Sequence, residues 1–165
     1  MRSITIKEMK QSFTLTELYA HRGCYSKEMI NYCARGNDII TLDFIIDHND
    51  MKLTEKAWFI SNHIDMTPNE HAAFAVGCAD IATTMFGVTK LLPVKQIVKS
   101  AITDDECISK AMQIAGSCNQ THAYAIYAAC TRDPYDRIFS ACNAAQLAGK
   151  FWVECMENWM RQFCL

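Results

Sequence analysis

Residues 133–163 read DPYDRIFSACNAAQLAGKFWVECMENWMRQF and carry the clearest helical pattern of the chain. Asp133 followed by Pro134 is typical of a helix start, because an aspartate oxygen caps a backbone N–H and proline fits the first turn without losing a hydrogen bond. Apolar residues then recur at alternating spacings of four and three, which places them on one helix face. The pattern predicts one helix over 134–163, with a buried stripe made of Ile138, Cys142, Ala145, Gly149, Trp152, Met156, Trp159 and Phe163, and a second row beside it made of Ala141, Ala144, Ala148, Phe151 and Cys155.

Start signals of the same kind recur along the rest of the chain. In a capping box, the first side chain accepts a backbone N–H of the first turn, and the fourth side chain reaches back to the first residue. Segments 14–17 (TLTE), 67–70 (TPNE) and 103–106 (TDDE) fit this motif, and Ser26 is a further cap. Together with the apolar spacing, these signals predict eight more helices, over 14–22, 26–35, 41–48, 54–64, 68–86, 93–102, 104–117 and 119–131.

Two segments allow a second interpretation. Residues 38–46 are rich in β-branched side chains, which is typical of a strand, but a cap at Thr41 followed by apolar residues on one face favours a helix. Residues 1–12 are expected to be a flexible or extended N-terminal segment, with a short strand at 4–6 as the alternative.

Composition predicts the fold class. Of 165 residues, 50% are hydrophobic, and only 6 Gly and 3 Pro interrupt the chain, so a real core is expected and a disordered chain is excluded. Alanines crowd the predicted helix faces of the second half, and small side chains let helix axes approach closely. No Pro-, Gly- or Ser-rich linker divides the chain. We expect an all-α fold, a single domain over 1–165 in which about eight or nine Ala-rich helices pack together.

Charge is distributed unevenly along the chain. The formal net charge of −2 gives no electrostatic basis for nucleic-acid binding. Residues 37–80, however, hold two Lys or Arg against eight Asp or Glu. Such a stretch is often only a solvated surface, but it also suits docking to a basic protein surface. The candidate partner-binding residues are Asp38, Asp43, Asp47, Asp50 and Asp65.

The chain has nine cysteines and no C-x-x-C pair. Its first ten residues alternate charged and apolar side chains and lack the apolar segment of a signal peptide. We therefore expect a cytoplasmic protein with nine reduced, mostly buried thiols, and neither a metal site nor a cofactor. Residues 111–131 carry no charged side chain, but Asn119, Gln120 and His122 make a buried helix more favourable than a membrane span.

Motifs of the common enzyme families are absent from the sequence, among them the Gly-rich nucleotide loops, H-E-x-x-H and G-x-S-x-G. His71 lies on the inner face of helix 68–86, and His122 stands among alanines. Each suits either a general base in a ligand pocket or a core position with hydrogen-bonded ring nitrogens. The other weak candidates are interpreted structurally: Glu17 and His21 as capping and helix-dipole groups, His48 and His63 as surface or capping groups, and Glu154 and Glu157 as a solvated flank.

Several segments, taken in their order along the chain, carry a family resemblance. They are Arg22-Gly23-Cys24, Trp58 within 55–60, Met66-Thr67-Pro68, Ala75 with Cys78-Ala79-Asp80, the alanine-spaced helices from Ala111 through Ala148, and the aromatic segment from Trp152 to Trp159. This order resembles the all-helical, alanine-rich immunity proteins of bacterial polymorphic toxin systems and their phage and prophage relatives. The connection over 87–93 departs from the family, where it is often rich in Pro, Asp and Arg. The resemblance implies a non-enzymatic protein that neutralises a toxin or a defence effector by direct contact, and it supplies no catalytic residues.

Three functions therefore stay open. The first is an immunity or phage anti-defence factor that binds a protein partner through the acidic stretch. The second is a small-ligand-binding or enzymatic helical domain with a pocket near His71 and His122. The third is a structural homo-oligomer held by the face that contains Trp152 and Trp159.

Overall fold

The computed structural model describes residues 12–20, 26–84, 104–115 and 120–164 of the chain. Within these ranges the elements are nine helices and one ribbon of two short strands, which confirms the predicted all-α multi-helix fold. The predicted strand at 4–6, the predicted helix over 93–102 and the predicted end of helix 68–86 lie outside the described residues. The strands are β1 (Ser12–Thr14) and β2 (Ile39–Thr41), and the helices are α1 (Leu15–Ala20), α2 (Lys27–Ala34), α3 (Leu42–Ile46), α4 (Leu53–His63), α5 (Pro68–Thr84), α6 (Asp104–Ala115), α7 (Gln120–Cys130), α8 (Pro134–Ala148) and α9 (Lys150–Cys164).

Three helix starts follow the predicted capping pattern. The backbone N–H of Thr14 donates to Glu17 Oε2 at 2.8 Å, and the N–H of Glu17 donates to Thr14 Oγ1 at 3.3 Å. Thr67 and Glu70 make the same reciprocal pair before α5. Before α8, the side chain of Asp133 accepts the N–H three residues on, at 2.9 Å. These bonds satisfy backbone donors that have no partner within their helix.

Residues 38–46 contain a strand and then a helix. Strand β2 pairs antiparallel with β1, so that Phe13 faces Ile40, and both side chains are buried. Thr41 ends β2 and caps α3, where its Oγ1 accepts the N–H of Phe44 at 3.1 Å. The helix therefore begins at its predicted cap. The strand before it matches the alternative interpretation of this segment, and its pairing partner comes from a remote part of the chain.

Gly149 divides the C-terminal helix, which corrects the prediction of one helix over 134–163. Helix α8 ends at Ala148, and α9 begins at Lys150. Gly149 has a φ of +112°, a conformation that only glycine adopts without steric cost. Beyond this break, α9 packs against α3, α4 and α5 as well as α8.

The break also changes which side chains of α9 are buried. Met156, Met160 and Cys164 are fully buried, at successive spacings of four. Trp152 and Trp159, which the predicted stripe places inward, are only half-buried and pack at the margin of the core. Met156 is thus buried as the stripe predicts, but after Gly149 the fully buried row continues through Met160 and Cys164 instead of Trp159 and Phe163.

Helix α8 is the centre of the bundle. Ala141, Ala144 and Ala145 are completely buried, and α8 contacts α4, α5, α7 and α9. Such small side chains allow neighbouring helices to approach closely, as the sequence predicts. The buried apolar residues form one cluster that extends from Phe13 in β1 to Cys164 at the end of α9, so both halves of the described chain share a core.

Candidate functional site

Two of the five candidate acidic residues are held together by one arginine. Asp43 and Asp47 lie one turn apart at α3, and Arg161 of α9 reaches both. Arg161 Nε donates to Asp43 Oδ1 at 3.0 Å, and Arg161 Nη2 donates to Asp47 Oδ1 at 2.6 Å. Both aspartate side chains are still 71% exposed. The two carboxylates therefore form a fixed pair that faces solvent.

The other three candidates are placed differently. Asp50, in the turn before α4, pairs with Arg35 at the end of α2, with 2.7 Å between Asp50 Oδ2 and Arg35 Nη2. Asp38, just before β2, and Asp65, after α4, are exposed. Among the described residues, the ion pairs thus bring Asp43 and Asp47 together and place Asp50 in a second pair.

The two arginines neutralise part of the acidic stretch. Three carboxylates, those of Asp43, Asp47 and Asp50, meet two guanidinium groups, which leaves a local charge of −1. The hydrogen bond to Asp43 above all, with that to Asp47, raises the pKa of Arg161 against the opposing effect of burial. Sequence reasoning missed Arg161 because it stands 118 residues from Asp43, and no local pattern connects them.

A buried ion pair joins α4 to α9. Lys56 is only 4% exposed, and its Nζ donates to Glu157 Oε1 and to the carbonyl oxygen of Ile46, each at 2.6 Å. A buried ammonium group is tolerated only when such partners replace its water. The prediction that Glu157 lies on a solvated flank is therefore wrong. Glu154, which is exposed beside Lys150, agrees with that prediction.

An apolar cavity of about 380 Å³ lies between the ribbon and the first four helices. Aliphatic and aromatic side chains from all of these elements form its walls. Met29 and Tyr32 of α2 also line it and are largely exposed, so the cavity opens to the surface beside α2. The main wall residues are Leu18, Ile30, Ile40, Ile45, Trp58 and Phe59.

His48 joins, through hydrogen bonds, two backbone segments at the polar end of this cavity. Its ring is 3% exposed, its Nε2 lies 2.9 Å from the carbonyl oxygen of Cys33, and its Nδ1 accepts the backbone N–H of Asp50 at 3.3 Å. Because Nδ1 accepts a hydrogen bond, the proton is assigned to Nε2, which donates to Cys33. Cys33 and Asp50 both line the cavity. The prediction that His48 is a surface or capping group is therefore wrong.

His63 lies in the last turn of α4, as predicted, but among aromatic rings. Its ring centroid is 4.6 Å from that of Phe59, 5.6 Å from that of Trp58 and 6.1 Å from that of Phe13. His63 lines the apolar cavity and also a second, more polar depression near Asp65. It therefore separates two concave parts of the surface.

Neither histidine predicted to mark a ligand pocket lines the apolar cavity. His71 of α5 contacts Tyr135, with 4.5 Å between the ring centroids, and its Nε2 is buried without a hydrogen-bond partner. Burial lowers the pKa of His71, and Asp133 partly opposes this. His122 is half-buried on α7. The apolar cavity is thus a different site from the pocket predicted near these two histidines, and that pocket stays a prediction.

Seven of the nine cysteines lie in the described ranges, and all seven are thiols rather than disulfides, as predicted. Five are buried, while Cys33 and Cys155 are half-buried. Burial raises the pKa of Cys164 to about 12 and raises the pKa of Cys142 well above its usual value. These sulfurs stay protonated at neutral pH. Cys24 and Cys118 lie outside the described residues.

The described residues hold neither a metal-binding cluster nor a membrane-spanning helix. No three His, Cys, Asp or Glu side chains in this part of the chain lie close enough together to hold a metal ion. No described helix is both long and apolar enough to cross a membrane. Comparison of the chain with protein-family models, with curated proteins and with solved structures finds no match.

Proposed function

We propose that this protein acts by binding a protein partner through its acidic surface, and that the partner presents a basic patch there. The supporting observation is the carboxylate pair of Asp43 and Asp47, which Arg161 holds in place while each side chain stays 71% exposed. Asp50, Asp38 and Asp65 extend the same acidic stretch.

Fixed carboxylates suit recognition better than mobile ones. Arg161 contacts only Oδ1 of Asp43 and Oδ1 of Asp47, so a partner lysine or arginine can bind the second oxygen of each group. Because Arg161 already orders both side chains, less conformational entropy is lost on binding. Charge complementarity of this kind mainly speeds association and selects the partner.

The family resemblance supports a more specific form of this proposal. On that basis, the protein is an immunity or phage anti-defence factor of the cytoplasm that neutralises a toxin or a defence effector by steric occlusion. Such a role needs a rigid scaffold and a complementary surface, and no catalytic residue.

The test compares two triple variants that remove the same charge. Asp43→Asn/Asp47→Asn/Asp50→Asn alters the proposed surface, and Asp80→Asn/Asp105→Asn/Asp136→Asn is the matched control on other helices. Proteins retained from lysate of the native host at low and high salt are identified for both variants and for the parent. Any retained candidate is then titrated as a purified protein and, where it is toxic, co-expressed with each variant.

We expect the first triple variant to weaken binding of a basic partner about tenfold or more and to lower protection, while the control binds like the parent. Both should keep the helical circular dichroism spectrum, since exposed ion pairs contribute little to stability. Equal binding by both variants, with the same salt dependence, would rule out the acidic surface as the binding site.

Self-association is the second candidate function. Phe151 is 65% exposed and packs edge-on against Trp152, with 5.1 Å between their ring centroids. An aromatic pair at the surface favours a contact between copies at this end of α9. Sedimentation of the parent and of Phe151→Gln over a range of concentrations tests this, and a monomeric parent would exclude it.

A further inference from the structure

We infer that the apolar cavity between α2 and α4 is a binding site for a small, uncharged molecule with an aromatic or branched aliphatic body. This site meets the acidic surface at Asp50, which lines the cavity, but the inference does not depend on the function proposed above. The inference rests on the size of the cavity, on its walls, on its open mouth and on the balanced charge of its polar end.

The size and walls of the cavity fit a ligand of metabolite size. Its volume of about 380 Å³ is within the usual range for small-molecule sites and well above the ~150 Å³ that is enough to hold benzene in an engineered apolar cavity. Ile40 and Ile45 help to form its walls, and both side chains are buried. A ligand there would gain the van der Waals contacts that an open cavity lacks.

The mouth is already open. Met29 and Tyr32 line the cavity, and their side chains are 47% and 66% exposed. A ligand that covers these two side chains removes their exposed apolar surface from water, which favours binding. A ligand can enter beside α2 without rearrangement of the core.

The polar end of the cavity favours a ligand without net charge. Asp50 is paired with Arg35, and Glu55 Oε2 accepts the backbone N–H of Lys52 at 2.7 Å. Lys52 lines the same end, so the formal charges of Asp50, Glu55, Arg35 and Lys52 sum to zero. Because burial, with Glu55 and Asp50 nearby, raises the pKa of Cys33, its thiol in the wall stays neutral as well.

Groups at both ends of the cavity can orient the ligand. The acidic and basic side chains stand where the end of α2 meets the start of α4, and His63 stands at the C-terminal end of α4. A few polar groups in an apolar site typically fix the orientation of a ligand rather than its affinity. A single hydroxyl or amide group on an otherwise apolar molecule meets this requirement.

The probe is N-phenyl-1-naphthylamine, an uncharged aromatic amine whose fluorescence rises in apolar surroundings. Cys33→Phe fills the cavity from its wall. Cys155→Phe makes the same substitution at the other half-buried thiol, on α9 and outside the cavity wall. Circular dichroism and thermal melting show whether each variant is folded.

We expect saturable binding of one probe per parent molecule, about tenfold or greater loss of affinity in Cys33→Phe, and affinity within about twofold of the parent in Cys155→Phe. Absence of saturable binding to the parent, or equal binding to both folded variants, overturns the inference.

A second measurement on the parent keeps the test decisive if Cys33→Phe does not fold. N-ethylmaleimide modifies accessible thiols, and peptide mapping reports the modification of Cys33 and Cys155 separately. The bound probe should slow modification of Cys33 at least about fivefold and leave that of Cys155 unchanged, since Cys33 lines the cavity and Cys155 does not. Equal rates at Cys33 with and without saturating probe would overturn the inference.

Discussion

Trp159 of α9 lies directly against the backbone of Gly77 in α5. A Cβ atom added at Gly77 would be 2.0 Å from Cζ2 and 2.3 Å from Cε2 of the indole. No real contact is that short, so the two helices meet at this point only because residue 77 has no side chain. The neighbouring Cys78 is buried, and burial raises the pKa of its thiol. The indole N–H of Trp159 opposes this rise in part.

Gly77→Ala should destabilise the protein. In the middle of an ordinary helix this change gains about 1 kcal/mol, because glycine is a poor helix former. Here the added methyl displaces the indole, and we expect a net loss of about 1–3 kcal/mol in the free energy of unfolding. Urea denaturation of both proteins measures this. In a Trp159→Ala background the same substitution should cost little or be stabilising, and an unchanged cost there would show that the indole is not the cause.

Trp159→Ala should itself be strongly destabilising. Replacing a buried Trp by Ala costs about 3–5 kcal/mol, and for this half-buried side chain we expect about 2–4 kcal/mol. Phe151→Ala is the matched control, because Phe151 is mostly exposed and its loss should stay within about 0.5 kcal/mol. Chemical denaturation compares the two variants. Similar losses in both would mean that Trp159 contributes no more to the fold than a surface aromatic.

Glu157→Gln should weaken the connection between α4 and α9. The substitution leaves the buried ammonium of Lys56 with the Ile46 carbonyl but no carboxylate, and we expect a loss of about 1–3 kcal/mol. Glu154→Gln, the same change at an exposed position of the same helix, should alter stability by less than about 0.5 kcal/mol.

The double variant Lys56→Met/Glu157→Gln completes this test. It removes the buried positive charge together with its partner, so it should lose less stability than the two single variants added together. Strict additivity would mean that Lys56 and Glu157 do not interact.

Stability should fall on acidification because of His71. Burial lowers the pKa of His71 in the folded protein, whereas in the unfolded chain the imidazole titrates near its usual value of about 6.5. Below this pH the unfolded state binds more protons than the folded state, so the free energy of unfolding decreases until the folded pKa is reached.

The measurement follows the urea midpoint from about pH 7.5 down to about pH 5.5, in the parent and in His71→Gln. The variant should lose part of the pH dependence, since its side chain does not titrate. An identical slope in both proteins would assign the dependence to other groups.

The local signals in the sequence were sufficient for the helix starts and for the fold class. Thr14 with Glu17, Thr67 with Glu70, and Asp133 each cap a helix within three or four residues of chain, so their hydrogen bonds depend little on the remainder of the molecule. The alanines of α8 were likewise predicted to lie between closely packed helices.

The tertiary structure alone decided the break at Gly149, the contact of Gly77 with Trp159 and the position of the cavity. Arg161 and Asp43 are separated by 118 residues, and the Lys56–Glu157 pair by 101. Such contacts depend on the path of the whole chain, because a side chain's partner across a core is set by the angle and register of both helices. The sequence by itself determined an all-α chain with an acidic stretch and its helix starts, whereas long-range packing determined which acids meet arginines and where an apolar cavity remains.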